Sequence, residues 1–600
     1  MENKNLQDLA NILRRDVLKM TTIAGSGHPT SCLSAAEIIS TLFFHEMQYN
    51  KQPFNPNNDE FILSKGHAAP ILYSALKNAK LIKNNLNKLR KLNSKLEGHP
   101  IPKSIKQIKV ATGSLGQGLS VAVGMALAAK LQKRNFRTYT LLGDSEVAEG
   151  AIYEALELAD HYKLNNLTII VDINRLGQSN ETMLGHDLNK YKKRFQGFNI
   201  NTIAIEGHEI SQIKLALNKA KKSLKPTVIL AKTIKGKGVS FLENKERWHG
   251  KPLNQDQLEK ALKEIPDPKK PKFKLNNPKN INFPIKKRKL QTTIYNPEEE
   301  IATREAYGNA LANLSKSSSN ILAVDAEVSN STKSDSVKAL NQEQFIEAYI
   351  AEQNMAGMAF GLSIKDFNVF ASTFSAFLTR AHDQIRMIAL SSPKSLTFCG
   401  SHSGVSIGPD GASQMGLEDI ALFRNLPNSI IFSPSDAVST EKLTALCSKL
   451  KGLKYLRTTR PKVPVIYPNK EVFKLGDFKV LKESKNDKVV VIGTGITTHE
   501  ALKAYNKINH IAIIDLYCIK PLNKKKLIKF INNHGRRLLI VEDHYPEGGI
   551  GEMLAKDLEN TGIKIKQLAI NEIPHSGTKA QLLKKYKIDS TSIIEQLRKF

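Results

Sequence analysis

Two short apolar runs, residues 138–144 (TYTLLGD) and 167–174 (LTIIVDIN), flank a stretch, 149–163, in which Ile152, Ala155, Leu156 and Ala159 recur at helical spacing. Runs of this length without polar alternation belong to strands buried on both faces, the situation of a parallel sheet covered by helices. Strand, helix and strand of these lengths close as a right-handed βαβ unit. The apolar run 227–231 continues the theme. From about residue 298 to 460 a second such pattern appears, with strands predicted at 369–371, 396–399, 430–432 and 455–457. A third begins near Phe473, with strands predicted at 488–493, 510–515 and 537–542. The fold class expected is α/β: three consecutive α/β domains with mostly parallel sheets, at 1–262, 298–462 and 463–600.

Between the first two patterns lies a basic, proline-rich linker, 263–297. Its segment 263–290 holds ten Lys or Arg against two acidic residues, a net +8, and five prolines that deny it regular structure. The whole chain has 88 Lys and Arg against 57 Asp and Glu, a net charge of +31. Such a balance suits nucleic acid, an anionic membrane or small anionic substrates. Only Phe273 and Phe283 accompany the linker's cations, too few aromatics for base stacking, so no nucleic-acid partner is expected. The uncharged stretch 110–129 is broken by glycines, hydroxyl residues and a glutamine, so it reads as a buried loop and helix rather than a membrane span. The four cysteines are far apart and the first residues, MENK, show no signal-peptide pattern; reduced thiols and a cytoplasmic location follow as expectations.

Several familiar motifs fail. Gly493 and Gly495 follow a strand, but Thr498 stands where a dinucleotide fingerprint needs its third glycine. No GxxxxGK[ST] loop and no HExxH pair is present, and the GSHSG run at 400–404 centres on His402 rather than serine. What holds is the pair at the ends of the βαβ strands. Asp144 and Asn174 fall at neighbouring carboxyl ends of a parallel sheet, the edge where such sheets bind ligands. Their oxygens suit a hard divalent ion shared with a diphosphate. The glycine-rich run 111–119 opens a helix at 121–131, offering backbone amides and a helix N-terminus to phosphate, and Lys235 adds a cation.

The words around these residues are more specific than the pair itself. They are GSGHPTSC at 25–32, SKGHAAP at 64–70, EGHP at 97–100, TGSLGQGL at 112–119, DINRLGQS at 172–179 and WHGKPL at 248–253. The second domain adds IAEQNM at 350–355, GSHSGVSIG at 400–408 and TRP at 459–461. In this order they resemble the transketolase family of thiamine-diphosphate enzymes, in its shorter, animal-type branch, and the resemblance covers nearly the whole chain. The first two domains are then expected to take the thiamine-diphosphate-binding fold and the third the family's C-terminal fold. One departure stands out: the family's Gly-Asp-Gly is Gly143-Asp144-Ser145 here. A positive φ at Ser145 would strain it by roughly 1–2 kcal/mol, whereas a negative φ makes the serine harmless.

The resemblance implies reversible transfer of a two-carbon ketol unit from a ketose phosphate such as xylulose 5-phosphate to ribose 5-phosphate or erythrose 4-phosphate. The reaction runs through a thiamine diphosphate C2 carbanion, in the pentose phosphate pathway. It implies Asp144, Asn174 and the Leu176 carbonyl as ligands of Mg²⁺ (or Ca²⁺ or Mn²⁺). The cofactor-binding set is His67, Gly113, Ser114, Leu115, Ser145, Asn174, Gln178, Lys235, His249, Glu352, Phe374 and Phe377. Glu352 is implied to bond the aminopyrimidine. His28, His67, His99, His249 and His402 are implied to move protons on the sugar. His28, Ser31, His249, Arg304, Ser331, His402, Asp410, Gln414 and Arg460 are implied to bind substrate, Arg304, Ser331, His402 and Arg460 forming a phosphate clamp suited to the arginine fork. A homodimer with active sites at the subunit interface is implied as well. The nearest alternatives, dihydroxyacetone synthase and 1-deoxyxylulose-5-phosphate synthase, fit the clamp and the words around His99 and His249 less well.

Overall fold

The computed structural model describes residues 1–600, which divide into two compact units. The first comprises residues 1–284 with the short segments 360–365 and 390–392; the second comprises the rest.

The first unit is built on five parallel strands in the order Glu60–Leu63, Thr138–Gly143, Leu167–Ile173, Thr227–Lys232, Asn201–Glu206. Thr138 pairs with Leu167 and Gly143 with Asp172, so the two strands read from the sequence are neighbours and end level with each other. Every residue of both is buried, which is why neither shows polar alternation. Helix Gly150–His161 connects them, burying Ile152, Ala155, Leu156 and Ala159 as its periodicity requires. The glycine-rich run enters helix Gly118–Leu131, almost entirely buried.

The second unit carries two large sheets and a two-stranded antiparallel ribbon of Glu300–Ala302 and Lys462–Pro464. One has seven strands, in the order Cys518–Lys520, Ile430–Phe432, Gly452–Arg457, Ser395–Ser401, Asn368–Phe374, Ile321–Asp325, Phe345–Glu347. All its pairings are parallel except the first, an antiparallel edge made by Cys518–Lys520, a strand the sequence reading did not find. The other sheet has five strands, ordered Lys479–Lys482, Ile511–Asp515, Val489–Gly493, Arg537–Val541, Lys564–Leu568, again with one antiparallel edge. The three α/β domains and mostly parallel sheets are as expected.

The linker has no regular structure beyond helix Gln255–Glu264 at its start and isolated bridges, as its prolines predict, but its first half is not free chain. The Phe273 ring packs edge-on to Phe44 at 4.9 Å, Leu275 joins the same core, and the Tyr49 amide donates to the Asn276 carbonyl at 2.7 Å. All four cysteines are buried free thiols. No helix is long and apolar enough to cross a membrane.

Candidate active site

At the carboxyl edge of the first sheet lies a cleft of about 240 Å³. It is lined by His28, Ser31, His67, His99, Gly113, Leu115, Asp144, Ser145, Asn174, Leu176, Gln178, Lys235 and His249, so the first unit's sequence-assigned residues converge there; Ser114 sits between two of them without lining the cleft. The parallel register delivers Asp144 and Asn174 to the same edge. Asp144 accepts from the Arg175 amide at 2.7 Å and the Ser145 amide at 3.0 Å, and Asn174 Oδ1 accepts from the Leu176 amide at 3.3 Å. Burial, together with the charge of Asp172, pushes the Asp144 carboxyl up to about 6.

Carboxylate, amide oxygen and backbone carbonyl form a hard-oxygen donor set of the kind Mg²⁺, Ca²⁺ or Mn²⁺ takes. The Leu176 carbonyl is turned toward the cleft, where it accepts from Lys235 Nζ at 2.7 Å. That ammonium also donates to the Gly177 carbonyl at 2.8 Å and to His249 Nδ1 at 2.9 Å. Burial and the nearby Lys65 lower Lys235 to about 8. On the opposite wall Gly113 has φ +138°, and a Cβ there would lie 3.0 Å from the His99 ring; only glycine lets the backbone come so close. An exposed backbone beside a cation and an oxygen donor set fits a metal-bound diphosphate. Ser145 has φ −68° and ψ −32°, an ordinary right-handed conformation, so its departure from the family's glycine carries no backbone strain.

Four imidazoles crowd the cleft. His28 lies 4.9 Å from His249, 5.3 Å from His67 and 6.4 Å from His99, ring centre to ring centre. Burial first, and neighbouring cations second, lower His28 to about 4 and His249 to about 3, and hold His67 and His99 below the usual imidazole value as well. The four are therefore neutral. His28 Nδ1 is buried without a hydrogen-bond partner, an acceptor or donor left for a ligand.

Beneath the cleft lie three groups the sequence reading passed over. Lys65 and Asp172, 1% and 0% exposed, form an ion pair at 2.5 Å. Asp172 also accepts from Ser34 Oγ at 2.7 Å and from the Thr233 hydroxyl, tying down the turn that carries Lys235. Glu146 binds three loops at once, accepting from the amides of Gly116 (3.0 Å) and Gly143 (2.9 Å) and from the Ser64 hydroxyl. All three residues lie in or beside the matched sequence words. Their signal was charge inside an otherwise apolar or glycine-rich run, where an unpaired charge is costly.

The second unit gathers the remaining assigned residues. Glu352 opens helix Glu352–Ile364. It is 4% exposed, its Oε2 has no hydrogen-bond partner, and its nearest cation is Arg380 at 3.8 Å. A buried carboxylate oxygen with no donor fits a ligand that brings one, as an aminopyrimidine does. Phe374 stacks on Phe377 at 5.1 Å and on His402 at 3.8 Å. His402 Nε2 faces Arg304 Nη1 at 3.5 Å, and that guanidinium donates to the Ser331 carbonyl at 3.1 Å, so Ser331 meets it through its backbone. Burial and the two arginines, 304 and 460, lower His402 to about 4. Asp410 pairs with Arg460 at 2.6 Å, and Gln414 lies on the same loop, in the turn Ala412–Gln414.

Comparison with known proteins identifies the family. Residues 5–317 match the transketolase thiamine diphosphate binding domain, 299–465 the transketolase pyrimidine binding domain and 478–593 the transketolase C-terminal domain. Human transketolase is 47% identical over 608 residues, covering 99% of this chain and 97% of that one, and mouse transketolase-like protein 2 is 44% identical over 617 residues. The fold superposes on the crystal structure of transketolase from Campylobacter jejuni with a TM-score of 0.86 over the full length of both chains, at 24% identity. With its three domains in the family's order and nearly half its residues shared with the human enzyme, the chain belongs to the transketolase family of thiamine-diphosphate enzymes.

Proposed function

We propose that this enzyme reversibly transfers a two-carbon ketol unit from xylulose 5-phosphate to ribose 5-phosphate or erythrose 4-phosphate, in the pentose phosphate pathway of the cytoplasm. The observation that carries the reading is the cluster of four neutral imidazoles against the Asp144–Asn174 edge. Thiamine diphosphate, when bound, supplies the electron sink that lets a carbon–carbon bond beside a ketone break. In this reading Asp144, Asn174 and the Leu176 carbonyl hold a divalent cation. The backbone at Gly113, Ser114 and Leu115 and the side chains of His67, Ser145, Gln178, Lys235 and His249 hold the diphosphate. Phe374 and Phe377 wall the pyrimidine, and Glu352 holds a proton against its nitrogen.

His28, His67, His99, His249 and His402 then accept and return protons on sugar hydroxyls. Burial holds all five below the usual imidazole value, and an anionic substrate beside them raises them toward the range where an imidazole exchanges protons best. Ser31 and His28 contact the substrate near the reacting carbons, and Asp410 and Gln414 its hydroxyls. Arg304, Ser331, His402 and Arg460 take its phosphate. The two groups of residues reside on separate units, 1–284 and 285–600 for the most part. A homodimer in which the first domain of one subunit meets the second domain of its partner completes each site. The domains are read as 1–262, 298–462 and 463–600, joined by the 263–297 linker.

A coupled assay with xylulose 5-phosphate and ribose 5-phosphate tests the activity. Sedoheptulose 7-phosphate forms with thiamine diphosphate and Mg²⁺ present, formation stops on chelation, and adding Mg²⁺ back restores it. No sedoheptulose 7-phosphate under saturating cofactor refutes the reading. The ordinary backbone at Ser145 yields a second expectation: Ser145→Gly shifts the dissociation constant for thiamine diphosphate by no more than about threefold, since no strain of 1–2 kcal/mol is there to be relieved. Titration of the apoenzyme checks it, and a tenfold gain in the glycine variant would show that the serine is a handicap.

A further inference from the structure

The loop 402–417 leaves the seven-stranded sheet after strand Ser395–Ser401 and carries His402, Asp410 and Gln414. Its apolar residues Val405, Ile407, Met415 and Leu417 pack in the core of the third domain, with Val489, Val491, Ile513, Leu539 and Val541. The loop is fastened there by a carboxylate. Asp543 follows strand Arg537–Val541 by two residues, is 1% exposed, and accepts from the Val405 amide at 2.7 Å, with the Ser406 amide also directed at it. Gly404, at φ +79°, abuts the same group: a Cβ there would lie 2.0 Å from Asp543 Oδ2.

The fastening is braced from behind. The buried Arg457 guanidinium donates to the Asp543 carbonyl at 2.8 Å, to the Gly416 carbonyl at 3.2 Å and to Asp419 at 2.7 Å. The Tyr545 amide donates to the Leu417 carbonyl at 3.2 Å, and the Gly404 amide closes the base of the loop on the Gly416 carbonyl at 2.8 Å. At the loop's tip, Gly411 at φ +82° lies against Ser576, where a Cβ would meet Oγ at 2.8 Å. Both ends of the segment bearing Asp410 and Gln414 thus rest on the third domain.

We propose that Asp543 is a positioning residue through which the third domain sets the loop 402–417, and with it the grip on the phosphate end of the substrate. The third domain contributes none of the residues assigned to the site, and this gives it a part in substrate recognition. The inference rests on the reading of His402, Asp410 and Arg460 as substrate contacts. Its physical basis is that the loop's donors and close-packed glycine are matched to an all-acceptor group. An asparagine has the same shape and can keep its oxygen on the Val405 amide, but it puts an NH2 at the position of Oδ2, which lies against Gly404 with no hydrogen-bond partner, and so buries donors that nothing accepts. The loop then shifts, and misplacing a binding group by about 1 Å costs a substantial factor in a positioned reaction.

The test compares xylulose 5-phosphate with free xylulose as donor, at saturating acceptor, in Asp543→Asn, Gly404→Ala and Arg460→Ala. The expected result is a KM for xylulose 5-phosphate raised about tenfold in Asp543→Asn and in Gly404→Ala, with the KM for free xylulose raised several-fold less, because the displaced loop carries His402 and, through Asp410, Arg460 to the phosphate as well as the hydroxyl contacts of Asp410 and Gln414. Arg460→Ala raises the same KM and serves as the control for the clamp. If Arg460→Ala raises it and the other two variants do not, the inference is overturned and the clamp reading stands. If Arg460→Ala has no effect either, both fall. Equal shifts for the two sugars also overturn it, since they would mark general loosening rather than positioning. Should Asp543→Asn not fold, Gly404→Ala reads the same contact from the loop side.

Discussion

Glu352→Gln lowers turnover by about 10²–10⁴-fold, the range spanned by loss of a positioned proton-transfer group, while the fold and the proposed dimer persist. The variant is nearly isosteric, and the carboxylate it replaces carries little structural duty: Oε2 has no hydrogen-bond partner and its one nearby cation, Arg380, is 3.8 Å away on a largely exposed side chain. A group only 4% exposed with an unpaired acceptor is retained against its desolvation cost. In the proposed reading it holds a proton shared with the pyrimidine. A glutamine can still accept a hydrogen bond from that ring, so cofactor affinity changes far less than turnover. Initial rates, thiamine diphosphate titration and sedimentation velocity on one preparation separate these effects. Turnover within threefold of the parent would refute the assigned role.

Lys65→Met is expected to destabilise the first unit by about 3–5 kcal/mol at pH 8, the cost of leaving one partner of a buried ion pair uncompensated. Burial pushes the Asp172 carboxyl up, but the Lys65 ammonium and the hydroxyls of Ser34 and Thr233 more than offset this and hold it below the usual range. In the parent, this contribution to stability is therefore present above the unfolded carboxyl's value and is lost only as acid titrates the folded group. Without Lys65 the balance reverses. The folded carboxyl rises above its unfolded value, so the destabilisation is small at low pH and grows as pH rises through the folded value. Calorimetry should show the deficit in melting temperature larger at pH 8 than at pH 5. Lys65→Met/Asp172→Asn, which removes both charges, should recover most of it. A deficit equal at both pH values, or no recovery in the double variant, would show that the pair is not what holds the floor of the cleft.

Much of the fold was legible because buried parallel strands have an unmistakable pattern. The runs 138–144 and 167–174 are strands within a residue of their predicted ends, and the helix between them buries the four positions its spacing marked. Other strands were missed, among them Ile321–Asp325, although it is wholly buried between parallel neighbours. Asn201–Glu206 is a half-exposed edge, and Cys518–Lys520 has only three residues and joins a sheet whose other strands lie at least 60 residues earlier in the chain. No local pattern encodes such a partner. The site was legible where chemistry sits in a distinctive word, as at Asp144, Asn174 and the histidines. It was illegible where function depends on who stands behind whom. Lys65, Asp172 and Glu146 are ordinary residues in sequence and become a floor only when four loops converge.

Taken alone, then, the sequence determined the α/β class, the edge at which ligands bind and the chemical types of the groups placed there, because strand periodicity and side-chain chemistry are local properties. The tertiary structure decided the rest. It set the sign of φ at Ser145, removing a strain that composition left open. It lowered four histidines together by burying three of them with ring centres 4.9–6.4 Å from that of His28. It also seated the 402–417 loop in the core of the third domain through Asp543, a residue 141 positions from His402 in the chain. Burial, backbone dihedrals and long-range partners are properties of the packed chain, and no window of residues contains them.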